Sequence, residues 1–259
     1  GNDNFRLLVA ASLFARLDGG AGNDSLTAPN ETNDWQVSGP DTGSLAGQTF
    51  ISFENLIGGS VGDRFRLSDG SSVSGSVQGR SGRDILDFSA MTSPVTVNLQ
   101  DRTVAGVVAS FSSIQEVIGS SGRDVLVGAN TTSTLTWTIT QAQAGAGAVS
   151  GYAFSGFEDL IAGSGTQALS YAAFTTSVRV DLGNGEATGF TRISGFRNVT
   201  GGAAADVLIG DTAANRLTGG GGDDILVGGD GDDILLGGDG RDLLVGGFGA
   251  DLLDAGNGE

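Results

Sequence analysis

The residues best equipped for chemistry are aspartates that recur every nine positions, at Asp224, Asp233, Asp242 and Asp251. Each sits in a frame GGxGxDxLx: Gly219, Gly220 and Gly222 precede Asp224, and Gly228, Gly229 and Gly231 precede Asp233. Gly237, Gly238 and Gly240 then precede Asp242, and Gly246, Gly247 and Gly249 precede Asp251. Leu226, Leu235, Leu244 and Leu253 close the four copies. Tight reversals use positive φ angles and close backbone approach, which glycine permits at low steric cost. Such turns aim carbonyl oxygens inward, and the aspartate adds an anionic oxygen. Calcium takes about six to eight oxygen ligands of this mixed kind, whereas zinc favours histidine or cysteine, and the chain has neither. Asp-Gly is also common in ordinary polar turns. Four consecutive unbroken copies nevertheless favour a cation-binding corner.

Looser copies precede these four, with Asp206 and Leu208, then Asn215 and Leu217, in phase. Single copies lie further upstream, at Gly19–Leu26, Gly58–Phe65, Gly79–Leu86 and Gly119–Leu126. They add Asp24, Asp63, Asp84 and Asp124 to the candidate metal carboxylates. A decayed copy at Ala162–Leu169 has Gln167 in the aspartate position, and no ion is expected there. At Asn215 the site is expected to be weak or empty.

The elements that must position these corners follow from their spacing. Upstream, the aspartate position falls at 3, 24, 63, 84, 124, 167 and 206, near one and two multiples of about twenty residues. Two nonapeptides make about eighteen, so one coil size accounts for both regions. The spacing predicts an all-β, right-handed parallel β-solenoid (β-roll or β-helix) with rungs of about 18–21 residues and Gly/Asp corners. Short apolar runs such as TVNL and ILL form its walls. Larger blocks also repeat: Leu86–Leu99 matches Leu169–Leu182, and Phe111–Gly128 matches Ile193–Gly210. The expected division is a degenerate solenoid of shuffled blocks over residues 1–200, continuous with a nonapeptide roll over 201–259. The chain starts and stops inside copies of the motif, which suggests a piece of a longer protein. Stacked rungs expose pairing edges at their two ends, so end-to-end self-association into a filament or layer is one expectation.

Composition narrows the function. Of 259 residues 46 are glycine and only three are proline, which excludes collagen and argues against a helical domain. The formal net charge of −17 opposes binding to nucleic acid or an anionic membrane. No apolar run approaches the roughly 20 residues of a membrane-spanning helix. Leu7–Leu17 is apolar but is interrupted by Arg16 and follows a repeat-like GNDNF, so it reads as internal structure rather than a leader.

The tract Gly201–Asp254 resembles the calcium-binding β-roll of RTX proteins. The resemblance implies calcium held between a repeat and the next but one, which pairs Asp224 with Asp242, Asp233 with Asp251 and Asp206 with Asp224. Carbonyls of the glycine loops, Gly220, Gly222, Gly229, Gly231, Gly238 and Gly240, would complete the shells. The upstream blocks, with FENLIGG and VTVNL, are similar to β-solenoid repeats of large bacterial surface proteins and RTX adhesins. That implies type I export as an unfolded chain and calcium-driven folding outside the cell, in an adhesive, layer-like or filamentous role. The RTX tail of an exported protease, lipase or polysaccharide epimerase is the alternative.

Catalysis within the segment itself is not expected. Histidine, cysteine and lysine are all absent, which removes the commonest general bases and covalent nucleophiles. Carboxylate pairs such as Asp223/Asp224 occupy repeated positions, whereas an active site breaks a repeat. Trp35 and Trp137 recur in equivalent blocks and read as wall or core residues, and Arg83 and Arg123 as surface arginines.

Overall fold

A computed structural model describes residues 1–8 and 16–258, so most of the run Leu7–Leu17 lies outside the described residues. The protein is all-β, built from short strands that pair in parallel with their equivalents one coil further along. It divides into two compact units, Gly1–Leu126 with Gly151–Phe157, and Val127–Ser150 with Glu158–Glu259.

In the first unit, one parallel ladder runs through Asn4–Arg6, Ser25–Thr27, Asn55–Ile57, Val73–Gln78 and Val108–Ser112. A second runs through Asn33–Gly39, Asp63–Ser68, Ile85–Ala90, Glu116–Ile118 and Tyr152–Ser155. Alternation of side chains along a strand sends one apolar residue per coil inward. Trp35, Phe65, Leu86, Val117 and Phe154 thus stack in register, all buried. Trp35 lies nearly parallel to Phe65, with ring centroids 5.4 Å apart. Burial of each such side chain is worth roughly 1.5–3 kcal/mol, which is how strands of three residues hold together.

The second unit repeats the scheme. Leu135–Gln141, Gln167–Ser170, Asn198–Thr200, Arg216–Gly221, Ile234–Asp239 and Leu252–Gly256 form one ladder. Arg179–Asp181, Val207–Ile209, Ile225–Asp230 and Leu243–Phe248 form another. Successive nonapeptides therefore alternate between walls, and Leu208 pairs with Leu226 while Leu217 pairs with Leu235. All four leucines are fully buried.

Two features depart from a uniform coil. The aspartate corners of consecutive coils lie 18 residues apart in the nonapeptide tract and 21 apart between Asp63 and Asp84, but coils of about thirty residues also occur, as between Asn33 and Asp63. The extra length goes into side excursions. Thr42–Leu45 runs antiparallel beside Asn33–Gly39 and Gln48–Ile51 antiparallel beside Thr42–Leu45, and Thr96–Asn98, Thr103–Val104 and Val108–Ser112 form another antiparallel set. An interval near forty in the aspartate position is thus not two rungs of twenty. Among the described residues, Ala142–Ala144 forms a single 3-10 turn, and no helix is long and apolar enough to cross a membrane.

Candidate metal centres at the aspartate corners

Each corner aspartate uses its two carboxylate oxygens differently. Oδ1 belongs to the scaffold, accepting the backbone N–H of the corner one coil before it. Asp224 Oδ1 accepts from Asp206 N at 2.7 Å, Asp242 Oδ1 from Asp224 N at 2.8 Å, and Asp251 Oδ1 from Asp233 N at 3.0 Å. The three pairs expected from the sequence are therefore adjacent in space, joined by a hydrogen bond from main chain to carboxylate. The ladder continues upstream: Asp24 accepts from Asp3, Asp63 from Asn33, Asp84 from Asp63, Asp124 from Val95 and Asp206 from Val178.

Oδ2 points to the first glycine of the motif. A Cβ at Gly219, Gly228, Gly237 or Gly246 would collide with Oδ2 of Asp224, Asp233, Asp242 or Asp251, respectively. The carbonyl oxygen one coil on faces the same spot, 2.6 Å from it for Gly237 and 2.5 Å for Gly246 at the first two corners. The first glycine is thus required for close approach, not for a positive φ. The second and third carry the positive φ, +114° and +100° at Gly220 and Gly222, +110° and +113° at Gly229 and Gly231, and +115° and +126° at Gly238 and Gly240. Carbonyl oxygens of Gly220, Gly222, Gly229 and Gly231 face the α-carbons of Gly238, Gly240, Gly247 and Gly249 one coil on, each close enough to exclude a Cβ.

The corners then separate by what meets Oδ2. At Asp24, Asp84, Asp224, Asp233 and Asp242 this oxygen is buried and has no hydrogen-bond partner. At Asp63 and Asp206 it accepts a backbone N–H from four residues earlier, Gly59 at 2.7 Å and Gly202 at 2.6 Å, and at Asp124 from Ser120. Asn215 is closed in the same way: its Oδ1 accepts from Asp211 N at 2.7 Å and its amide donates to the Arg197 carbonyl. Gln167 fills its corner with an amide that donates to the carbonyls of Ala129 and Ser164 and accepts from the Trp137 indole at 3.0 Å.

A hard cation fits the five open corners. A buried, unpaired carboxylate is costly, and here every neighbouring donor that could offset it by coordination is an oxygen. Burial, then the charges of Asp206, Asp242 and Asp223, push the Asp224 carboxyl up to about 6, against the opposing hydrogen bond from Asp206 N. Asp84 and Asp233 are raised for the same first reason, burial. Among the described residues no three acidic side chains gather in one metal-sized cluster. One carboxylate per corner leaves main-chain carbonyls to supply most of a shell, which suits calcium.

Some side chains in the ladder are invisible to the motif. Glu54 Oε2 accepts from Asp24 N at 2.6 Å, and Gln115 Oε1 accepts from Asp84 N at 2.7 Å, each standing where the next coil has no corner aspartate. Their shared place, four residues before the first glycine of a corner in FENLIGG and IQEVIGS, is the signal that could have found them. Asp87, fully buried on a wall, pairs with Arg64 at 2.6 Å and Arg66 at 3.1 Å. Asp223 turns outward from Asp224 and pairs with Arg241 at 2.7 Å. Arg83 pairs with Glu116 at 2.9 Å and is a surface arginine, and both tryptophans are fully buried.

No curated protein matches the chain. The family model of the RTX calcium-binding nonapeptide repeat matches four copies, at residues 16–28, 200–235 and 227–259. The matched segments include the open corners of Asp24, Asp224, Asp233 and Asp242. Residues 16–28 and 200–259 of this chain are RTX calcium-binding nonapeptide repeats, and the cation of the repeats is calcium.

Proposed function

We propose that the chain is a calcium-stabilised structural module of a secreted or cell-surface bacterial protein, adhesive or layer-forming in role and without catalysis of its own. The observation that carries this reading is the set of buried carboxylate oxygens without partners at the repeat corners. RTX repeats are typical of exported proteins, and the net charge of −17 resists compaction until cations are supplied. Binding that occurs only in the folded state stabilises it in proportion to the logarithm of ligand concentration. Such a module stays open where calcium is scarce and folds where calcium is abundant. The corner carboxylates are engaged in the scaffold ladder, which supports a structural rather than a catalytic role for them.

Circular dichroism during a calcium titration of the chelated protein tests the reading. Gain of β-structure with calcium, not matched by magnesium at equal ionic strength, is expected. Unchanged β-structure after thorough chelation would sink it. The same repeats would serve the tail of an exported enzyme, and the complete reading frame decides: further repeat blocks favour the structural role, a catalytic domain upstream the tail.

A further inference from the structure

We infer that the corner Gly79–Leu86, outside the matched repeats, is an additional calcium site built on Asp84, and that the corners of Asp63, Asp124 and Asp206 close without metal. The inference rests on the calcium reading above and resolves it to individual corners.

Two backbone inversions distinguish the corners. Where Oδ2 has no partner, the residues four and two before the aspartate both have positive φ: Gly20 and Gly22 before Asp24, and Gly220 and Gly222 before Asp224. Asp84 follows the same rule, with Arg80 at +72° and Gly82 at +115°. At Asp63, Asp124 and Asp206 neither residue has a positive φ, and the N–H of the earlier one closes on Oδ2. That N–H is the positive end of a dipole, and it stands where a cation would otherwise balance the carboxylate. Inverting the residue withdraws it and leaves the oxygen for an ion.

Glycine content alone does not decide which state a corner takes. Gly59 and Gly202 hold the earlier position at two closed corners, and Gly122 holds the later one at a third. Arg80 adopts the inversion although a non-glycine residue there costs about 1–2 kcal/mol. The Asp84 side chain is fully buried, its Oδ2 has no hydrogen-bond partner, and the space above Gly79 is shared by the Ser113 carbonyl oxygen and the Asp84 Cβ and carboxyl carbon. The adjacent Arg83 is committed to Glu116. Asp84 therefore matches the nonapeptide corners in burial, in backbone and in its unpaired oxygen, with Arg80 in place of their second glycine.

Crystals of the whole chain grown with terbium(III) in place of calcium test this by anomalous scattering. Peaks are expected at Asp84 as at Asp224 and Asp233, and none at Asp63, Asp124 or Asp206. A blank corner at Asp84 beside occupied Asp224 and Asp233 overturns the inference while leaving the calcium reading intact. Blank corners throughout overturn both. A peak at Asp63, Asp124 or Asp206 overturns the closed-corner half. In solution, native mass spectrometry with calcium should show Asp84→Asn losing one bound ion per chain and Asp63→Asn losing none. An unchanged count for Asp84→Asn contradicts the site.

Discussion

A single carboxylate at each corner has two employments, and substitutions should tell them apart. Gly228→Ala puts a methyl group onto Asp233 Oδ2, so the overpacking should cost about 1–3 kcal/mol. It should also raise the calcium midpoint, both readable in one set of calcium-dependent melts. Gly221→Ala is the control: its nearest neighbour to an added Cβ is 3.7 Å away and its φ is not inverted, so little change is expected. Asp87 gives the pH dependence. Burial alone would raise its carboxyl, but bonds from Ser89 and the guanidinium groups of Arg64 and Arg66 hold it below the usual value of 3.8. A carboxyl depressed in the folded state stabilises the fold fully above its unfolded pKa, and loses that contribution as pH falls through the folded value. Asp87→Asn should therefore cost about 1–3 kcal/mol at neutral pH, with the gap from the wild type narrowing below about pH 4. Thermal midpoints of both proteins measured down to pH 3 check this, and a gap constant across that range would contradict it.

At the scale of strands and corners, the ladder of main-chain N–H groups on side-chain oxygens makes each coil depend on the next. Gln115→Ala strips the acceptor from Asp84 N, and a stranded buried donor costs about 1–3 kcal/mol. Gln115→Glu should restore much of that loss, as the Glu54 carboxylate serves Asp24. Chemical denaturation of the three proteins measures both changes, and equal stability for Gln115→Ala and wild type would remove the ladder from the list of stabilising contacts. The nonapeptide coils were legible in the sequence because motif, period and register coincide there: nine residues make one wall strand and one corner. The Asp24, Asp84 and Asp224 corners were recognisable as turns for the same reason. Which corners close on themselves, as those of Asp63, Asp124 and Asp206 do, was not legible, because Gly59 and Gly20 look alike in sequence yet differ in φ. Coil length was also hidden, since the hairpin strands Thr42–Leu45 and Gln48–Ile51 lengthen a coil without disturbing the motifs on either side. Glu54 and Gln115 escaped notice because their partners lie about thirty residues away.

On the scale of the whole molecule, charge and repetition set the behaviour. Thirteen basic residues stand against thirty acidic ones, so in chelator the folded state should gain stability with added sodium chloride through screening. With calcium present that salt dependence should weaken, because corner charge is already balanced; calorimetric scans across salt concentration at both calcium levels test it. Fall of stability with salt in chelator would contradict this account. Removing residues 219–236 deletes one 18-residue coil and should leave a folded protein with fewer bound ions. Removing 219–232 should disorder the tract, since the walls no longer meet in register. The ladder has one more consequence. In the nonapeptide tract the corner N–H groups of Asp206, Asn215, Asp224 and Asp233 are each capped by the carboxylate of the coil after it, so splicing in a further coil consumes one vacant acceptor and supplies another. The tally of unmet groups is then independent of how many coils there are. Copy number becomes a neutral variable for natural selection, free to drift by duplication and deletion, and the shuffled blocks Leu86–Leu99 and Leu169–Leu182 are what such drift leaves behind.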